Sequence, residues 1–119
     1  MNHNQKIGKL GEDLACKYLQ EKGYEILDRN IKTSFKEIDI VARIKEKIVF
    51  IEVKTRTNLK FGGADEAINH KKIKNLKKAI KMYFFQTKLY TDNFRLDLVA
   101  IDIEPNKNIT NIKHYKDLF

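Results

Sequence analysis

The chain has 119 residues with one cysteine and one proline, and no apolar run approaches the roughly 20 residues that cross a bilayer. That length suits one core and one domain, residues 1–119, and a lone cysteine excludes an internal disulfide framework and a thiolate zinc cage. Lys and Arg total 24 against 16 Asp and Glu, a net charge of +8, which favours polyanionic partners because each phosphate neutralised by a cation releases counterions.

The opening Met1-Asn2-His3-Asn4-Gln5-Lys6 lacks the apolar stretch of a signal peptide. The expectation is a soluble, cytoplasmic protein with no membrane association. From Gln5 to Lys22 the residues Ile7, Leu10, Leu14, Ala15, Tyr18 and Leu19 fall on one helical stripe, closed by Gly23. Tyr24–Ile31 reads as a short strand. Phe35–Ile44 and Lys47–Thr55 read as two further strands joined at Lys45-Glu46. Within the second, Ile48-Val49-Phe50-Ile51 is apolar on both faces, as a strand between two layers should be. Residues 58–63 form a loop ending in Gly62-Gly63, which could be an anion-binding nest or a plain linker. From Ala64 to about Gln86 helical spacing returns, with Ile68, Ile73, Leu76, Ala79, Ile80, Tyr83 and Phe84 on one side. Phe94–Ile103 is a strand, and Ile109–His114 adds an edge strand. The order α-β-β-β-α-β predicts an α/β protein: an antiparallel meander, then a crossover helix to a parallel neighbour, in a mixed sheet flanked by helices.

The informative residues break this burial pattern. If the hairpin turns between Lys45 and Glu46, opposed residues sum to 91, which sets Asp39 across from Glu52 and Glu37 across from Lys54. Opposed Cβ atoms lie about 4.5–5.5 Å apart, and two carboxylates at that range repel by roughly 3 kcal/mol at an effective dielectric of 20. A hard divalent ion, Mg²⁺ or Mn²⁺, would relieve this, with Lys54 within reach of its ligands. Ordinary cross-strand salt bridges are the competing account, and the hairpin alone leaves both open. Glu12 lies at the margin of the first helical stripe, where it could point toward Asp39 or pair with Lys9 or Lys17. Lys72 falls inside the second stripe, either snorkelling to solvent or serving an anionic site, while Lys71, Lys74, Lys77, Lys78 and Lys81 face outward. Arg56 continues the acidic strand and could meet phosphates. Cys16 reads as a packed or idle thiol. His3, His70 and His114 lack metal-ligand spacing, and Asp97 and Asp102 have no partner that the pattern can place.

The helical Gly8-x-x-Gly11-Glu12-x-x-Ala15, then Glu37-Ile-Asp39-Ile, then Phe50-Ile-Glu52-Val-Lys54-Thr-Arg56 resemble the bacterial YraN family. Members of that family carry a restriction-endonuclease-like core with a PD-(D/E)xK motif, similar to archaeal Holliday-junction resolvases. Arg29-Asn30, Phe61-Gly62, Lys72 and Arg95-Leu-Asp97 fit the same pattern, whereas Lys36 stands where the family usually has glycine. The resemblance implies that Asp39, Glu52 and the Val53 carbonyl hold Mg²⁺ or Mn²⁺, with Glu12 a further ligand. Lys54 would be the motif lysine, and Lys72 and Arg56 would hold the nucleic-acid backbone. The implied activity is metal-dependent phosphodiester hydrolysis by a structure-selective endonuclease acting on DNA, working as a homodimer. A non-catalytic nucleic-acid-binding module on the same fold is the alternative.

Overall fold

A computed structural model of the chain describes residues 2–57, 69–89, 91–104 and 109–119. Helix α1 (His3–Glu21) starts two residues before the expected Gln5, because Asn2 and Gln5 cap it reciprocally. The Asn2 side chain accepts the Gln5 N–H at 2.8 Å, and Gln5 Oε1 accepts the Asn2 N–H at 3.0 Å. The cap at the other end is Lys22, with Gly23 one residue beyond it at φ +94°. There the Gly23 N–H reaches Gln20 O (3.1 Å) and the Tyr24 N–H reaches Leu19 O (2.9 Å), the paired bonds that a residue at positive φ makes possible.

Strands β1 (Glu25–Ile31), β2 (Ile38–Ile44) and β3 (Lys47–Arg56) follow as an antiparallel meander. Helix α2 (His70–Thr87) then leads to β4 (Phe94–Ile103), parallel to β3, and β5 (Ile109–Tyr115) adds an antiparallel edge. The sheet order is β1-β2-β3-β4-β5, the α/β mixed sheet expected from the element order. Two expected boundaries move. Residues 35–37 lie in a turn before β2, and α2 cannot run back through Asn69, whose backbone is extended (φ −150°, ψ 174°) and whose side chain accepts the Lys72 N–H at 3.0 Å. The proposed loop and nest at 58–63, the helical start at Ala64 and Ile68 lie outside the described residues.

Alternation along β3 distributes its apolar run to two layers. Val49 and Ile51 join Ala15, Cys16 and Leu19 of α1 on one face. Ile48 and Phe50 join Leu76, Ala79, Ile80 and Tyr83 of α2 on the other. Phe50 has no exposed surface and meets Tyr83, Phe84 and Phe94 edge-on at 5.4–6.0 Å between ring centres. Cys16 packs into the α1 layer, where burial pushes its thiol pKa up, consistent with a packed thiol. Among the described residues no helix is long and apolar enough to cross a membrane.

Gly11 sets how closely α1 approaches β3. A Cβ there would stand 2.9 Å from Thr55 Cβ and 3.0 Å from Thr55 Cγ2, closer than carbon atoms pack. Overpacking costs about 1–3 kcal/mol, against a helix-propensity gain for alanine of up to about 1 kcal/mol. Gly11→Ala is therefore expected to lower stability by about 1–2 kcal/mol. Thermal unfolding checks this, and a variant as stable as wild type would mean that the two elements can part without cost.

Candidate metal centre and nucleic-acid interface

The β2–β3 ladder keeps the register expected from its two-residue turn. It runs from Ile44↔Lys47 to Ile40↔Ile51, each pair summing to 91, with Lys45 in the turn at φ +55°. It stops there, one pair short of Asp39 and Glu52. Beyond it β2 pairs with β1 (Ile31↔Ile38) and β3 continues along β4 (Glu52↔Leu98, Lys54↔Ala100). Alternation along β2 also breaks at this point: Ile38 packs in the α2 layer, whereas Ile40 and Ala42 pack in the α1 layer. The Asp39 carboxylate fills the opening, and its Oδ2 accepts the Val53 N–H at 2.8 Å. In an extended strand the N–H and C=O of one residue point the same way, so the Val53 carbonyl faces this opening as well.

Carboxylates gather on both sides of Asp39. On one side Glu52 lies close enough to raise its pKa by hydrogen bonding and by charge. On the other, oxygens of Glu12, Glu37 and Asp39 all lie within 4.8 Å of one another. Burial, then the hydrogen bond to Glu52 and its charge, push the Asp39 carboxyl up to about 9, against the opposing Val53 N–H. Burial also raises Glu12; Arg29 works against that shift and Glu37 adds to it. Among the described residues the clustered groups Glu12, Glu37 and Asp39 form an all-oxygen donor set of the kind that suits Mg²⁺ or Mn²⁺, while His3 lines the cleft outside that cluster.

Side chains from several elements meet at the site. A cleft of about 490 Å³ is lined by Glu12 from α1, by Asp39 from β2, by Glu52, Val53, Lys54 and Arg56 from β3, and by Lys72 from α2. The seven residues that the family resemblance assigns to the site thus line one concavity. Lys36 joins them, its Nζ 3.3 Å from Glu52, so the salt-bridge account of Glu52 is realised alongside the carboxylate pair. Arg56 lies beside Asp102 in the β3–β4 ladder. Lys9 pairs with Asp13 at 3.7 Å, while Glu12 lies 3.7 Å from Arg29.

One expected juxtaposition changes. Glu37 belongs with Glu12 and Asp39 and is no cross-strand partner of Lys54, since the ladder has already ended. Asn30 was visible only as half of a sequence pattern. It sits at φ +53°, a left-handed conformation that asparagine tolerates, and with its amide turned to suit its neighbours it donates to Glu12 Oε1 (2.7 Å) and Glu37 Oε1 (3.2 Å). The Glu37-Ile-Asp39 motif was the available signal for Glu37. For Asn30 the Arg29-Asn30 pair of the family resemblance was the one signal, because a positive φ leaves no trace in composition.

Asp97, which no pattern could pair, finds its partners away from the cleft, on β4, on β5 and in the segment after β5. Its ladder neighbour is Ile51 of the α1 layer, and it receives Arg95 Nε at 3.0 Å, a 2.7 Å bond with His114 Nε2 and the Asp117 N–H at 3.0 Å.

A five-stranded mixed sheet with a helix layer on each face, and acidic groups where its two central strands part, defines an α/β protein compatible with a restriction-endonuclease-like core. The model of the family described as "Uncharacterised protein family UPF0102" matches residues 11–101. The chain belongs to this family, the YraN group whose motifs it carries. It is 43% identical over 108 residues to a UPF0102 protein of Syntrophomonas wolfei, covering 91% of this chain and 94% of that one. It is 38% identical over 117 residues to one of Dictyoglomus turgidum (98% and 99% covered). With one of Caldicellulosiruptor bescii the identity is 43% over 117 residues (97% and 98% covered).

Proposed function

We propose that the protein is a metal-dependent endonuclease acting on DNA in the cytoplasm, selective for structure over sequence. The observation that carries this reading is the convergence of Asp39, Glu52 and Glu12 with Lys54 in one cleft rimmed by Lys36, Arg56 and Lys72. Asp39, Glu52, the Val53 carbonyl and Glu12 would hold Mg²⁺ or Mn²⁺, and Glu37 is near enough to join them. When bound, the ion supplies Lewis-acid polarisation of the phosphoryl oxygens and a water of lowered pKa.

The remaining work falls to side chains. Lys54, two residues along β3 from Glu52 and on the same face, orients the attacking water and meets charge developing on the phosphoryl oxygens. Lys72 and Arg56 hold the flanking backbone phosphates. Such contacts position a strand without reading bases, so selectivity falls on the shape of the DNA. Cutting a four-way junction symmetrically needs two such sites, which a two-fold homodimer provides.

The test is incubation with four-way, single-stranded and duplex DNA in Mg²⁺ or Mn²⁺. Cut products are expected that vanish in chelator and fall on the order of 10²-fold in Lys54→Ala, the usual cost of one transition-state donor, with DNA binding retained. Salt-sensitive binding without cleavage in either metal would overturn the enzyme and leave a nucleic-acid-binding module.

A further inference from the structure

The helix that carries Lys72 is electrically one-sided. Over its 18 residues α2 has six lysines and no acidic residue, whereas α1 balances three lysines against three acids. Lys71 and Lys72 occupy its first turn, where the helix dipole disfavours cations. Lys74 and Lys78, and Lys77 and Lys81, are like-charged i, i+4 neighbours that repel. Helix stability alone gives no reason for such a face.

Aromatic surface accompanies this charge. Phe85 is 74% exposed and Phe35 48% exposed, and together with Met82, Lys78 and Lys81 they line a groove of about 420 Å³. Lys78 Nζ lies 5.6 Å from the centre of the Phe35 ring. The turn that presents Phe35 is tied down: Thr33 Oγ1 accepts the N–H groups of Phe35 and Lys36, each at 3.1 Å, and donates to Lys36 O at 2.7 Å. The groove adjoins the cleft, since Lys36, next to Phe35, reaches Glu52. On α2, Lys72 in the cleft and Lys78 in the groove are separated by about 9 Å of helix rise.

We propose that this groove is a stacking platform for unpaired bases, so that the substrate is DNA with a single-stranded segment beside the bond presented to Asp39 and Lys54. The proposal deepens the nuclease reading and rests on it only for where the strand leads. Lysines neutralise backbone phosphates while exposed rings stack on bases, the pairing by which single strands are held. A duplex keeps its base faces covered. A second copy of this chain would bring the same cationic helix against itself and be repelled.

The test is fluorescence anisotropy of a labelled single strand and of the matching duplex in chelator, where no cleavage is needed. Phe35→Ala and Phe85→Ala are each expected to weaken single-strand binding about tenfold and to leave duplex binding little changed. Phe85→Tyr should restore it. Lys78→Gln and Lys81→Gln should each lower the salt dependence by about one phosphate contact. Unchanged single-strand binding in both phenylalanine variants, or equal loss on the duplex, would overturn the platform. So would sedimentation showing that Phe85→Ala dissociates a dimer, which would make the groove a self-association surface. Intact stacking without cleavage in any metal sinks the nuclease alone, and cleavage indifferent to both rings sinks the platform alone.

Discussion

Asp39→Asn is expected to make the chelator-treated protein more stable at neutral pH and to abolish both stabilisation by Mg²⁺ or Mn²⁺ and cleavage. The carboxyl is pushed from its ordinary 3.8 up to about 9, first by burial and then by Glu52. The folded protein therefore keeps a proton that the unfolded chain has released. Its contribution to stability is full below about pH 4 and is lost progressively as the pH rises toward 9. At pH 7 that loss is about 2–4 kcal/mol, each tenfold difference in proton affinity between the folded and unfolded chain being worth about 1.4 kcal/mol. Asparagine removes the charge and keeps the geometry: its Oδ1 still accepts the Val53 N–H, and its Nδ2 faces Glu52 as a donor.

A cation that binds only the folded state stabilises it by about 2.7 kcal/mol at a hundred times its dissociation constant. Wild type should gain this and the variant should not. Thermal melts from pH 5 to 9, with chelator and with each metal, read both effects. If Asp39→Asn melts lower than wild type in chelator at pH 8, Asp39 is an ionised and already compensated carboxylate, and the metal assignment fails with it.

Much of this arrangement was legible in the chain because local chemistry dictated it. Ile48-Val49-Phe50-Ile51 could only be a strand covered on both faces, and the Lys45-Glu46 turn set the β2–β3 register pair by pair. Lys72 betrayed itself by standing in an apolar stripe, and it lines the cleft. What stayed hidden depends on the tertiary fold. The parting of β2 from β3 after Ile40↔Ile51 follows from pairing with different outer strands, which no single strand encodes. Glu37 meets Glu12 from the turn before β2, which Thr33 ties down, while Gly11 lets α1 lie close to β3. Apolar spacing runs α2 through Asn69, where the helix is capped, because it says nothing about which residue caps a helix. Asp97 looked unpartnered because its ligands come from β5 and from the segment after it.

That second polar cluster should carry the largest stability effect in the molecule. Asp97 has no exposed surface, and it holds Arg95 and His114 together. Arg95 Nη2 donates to Tyr24 Oη at 2.7 Å, and His114 Nδ1 lies 3.2 Å from Tyr18 Oη. Burial alone would raise the Asp97 carboxyl. Hydrogen bonds from His114, Arg95 and the Asp117 N–H outweigh it and hold the group below its ordinary value. Its stabilisation is therefore present above about pH 4 and is lost as the pH falls below that. Removing one partner of a buried ion pair costs about 3–5 kcal/mol, because the other charge is stranded. Asp97→Ala is expected to lose that much by denaturant unfolding at pH 7, and Arg95→Met with Asp97→Leu should recover most of it. Since Asp97 lines no part of the cleft, folded Asp97→Ala at low temperature should cleave DNA at the wild-type rate. A variant that unfolds like wild type would show that this network adds no stability, and one that folds but does not cut would place Asp97 in the chemistry.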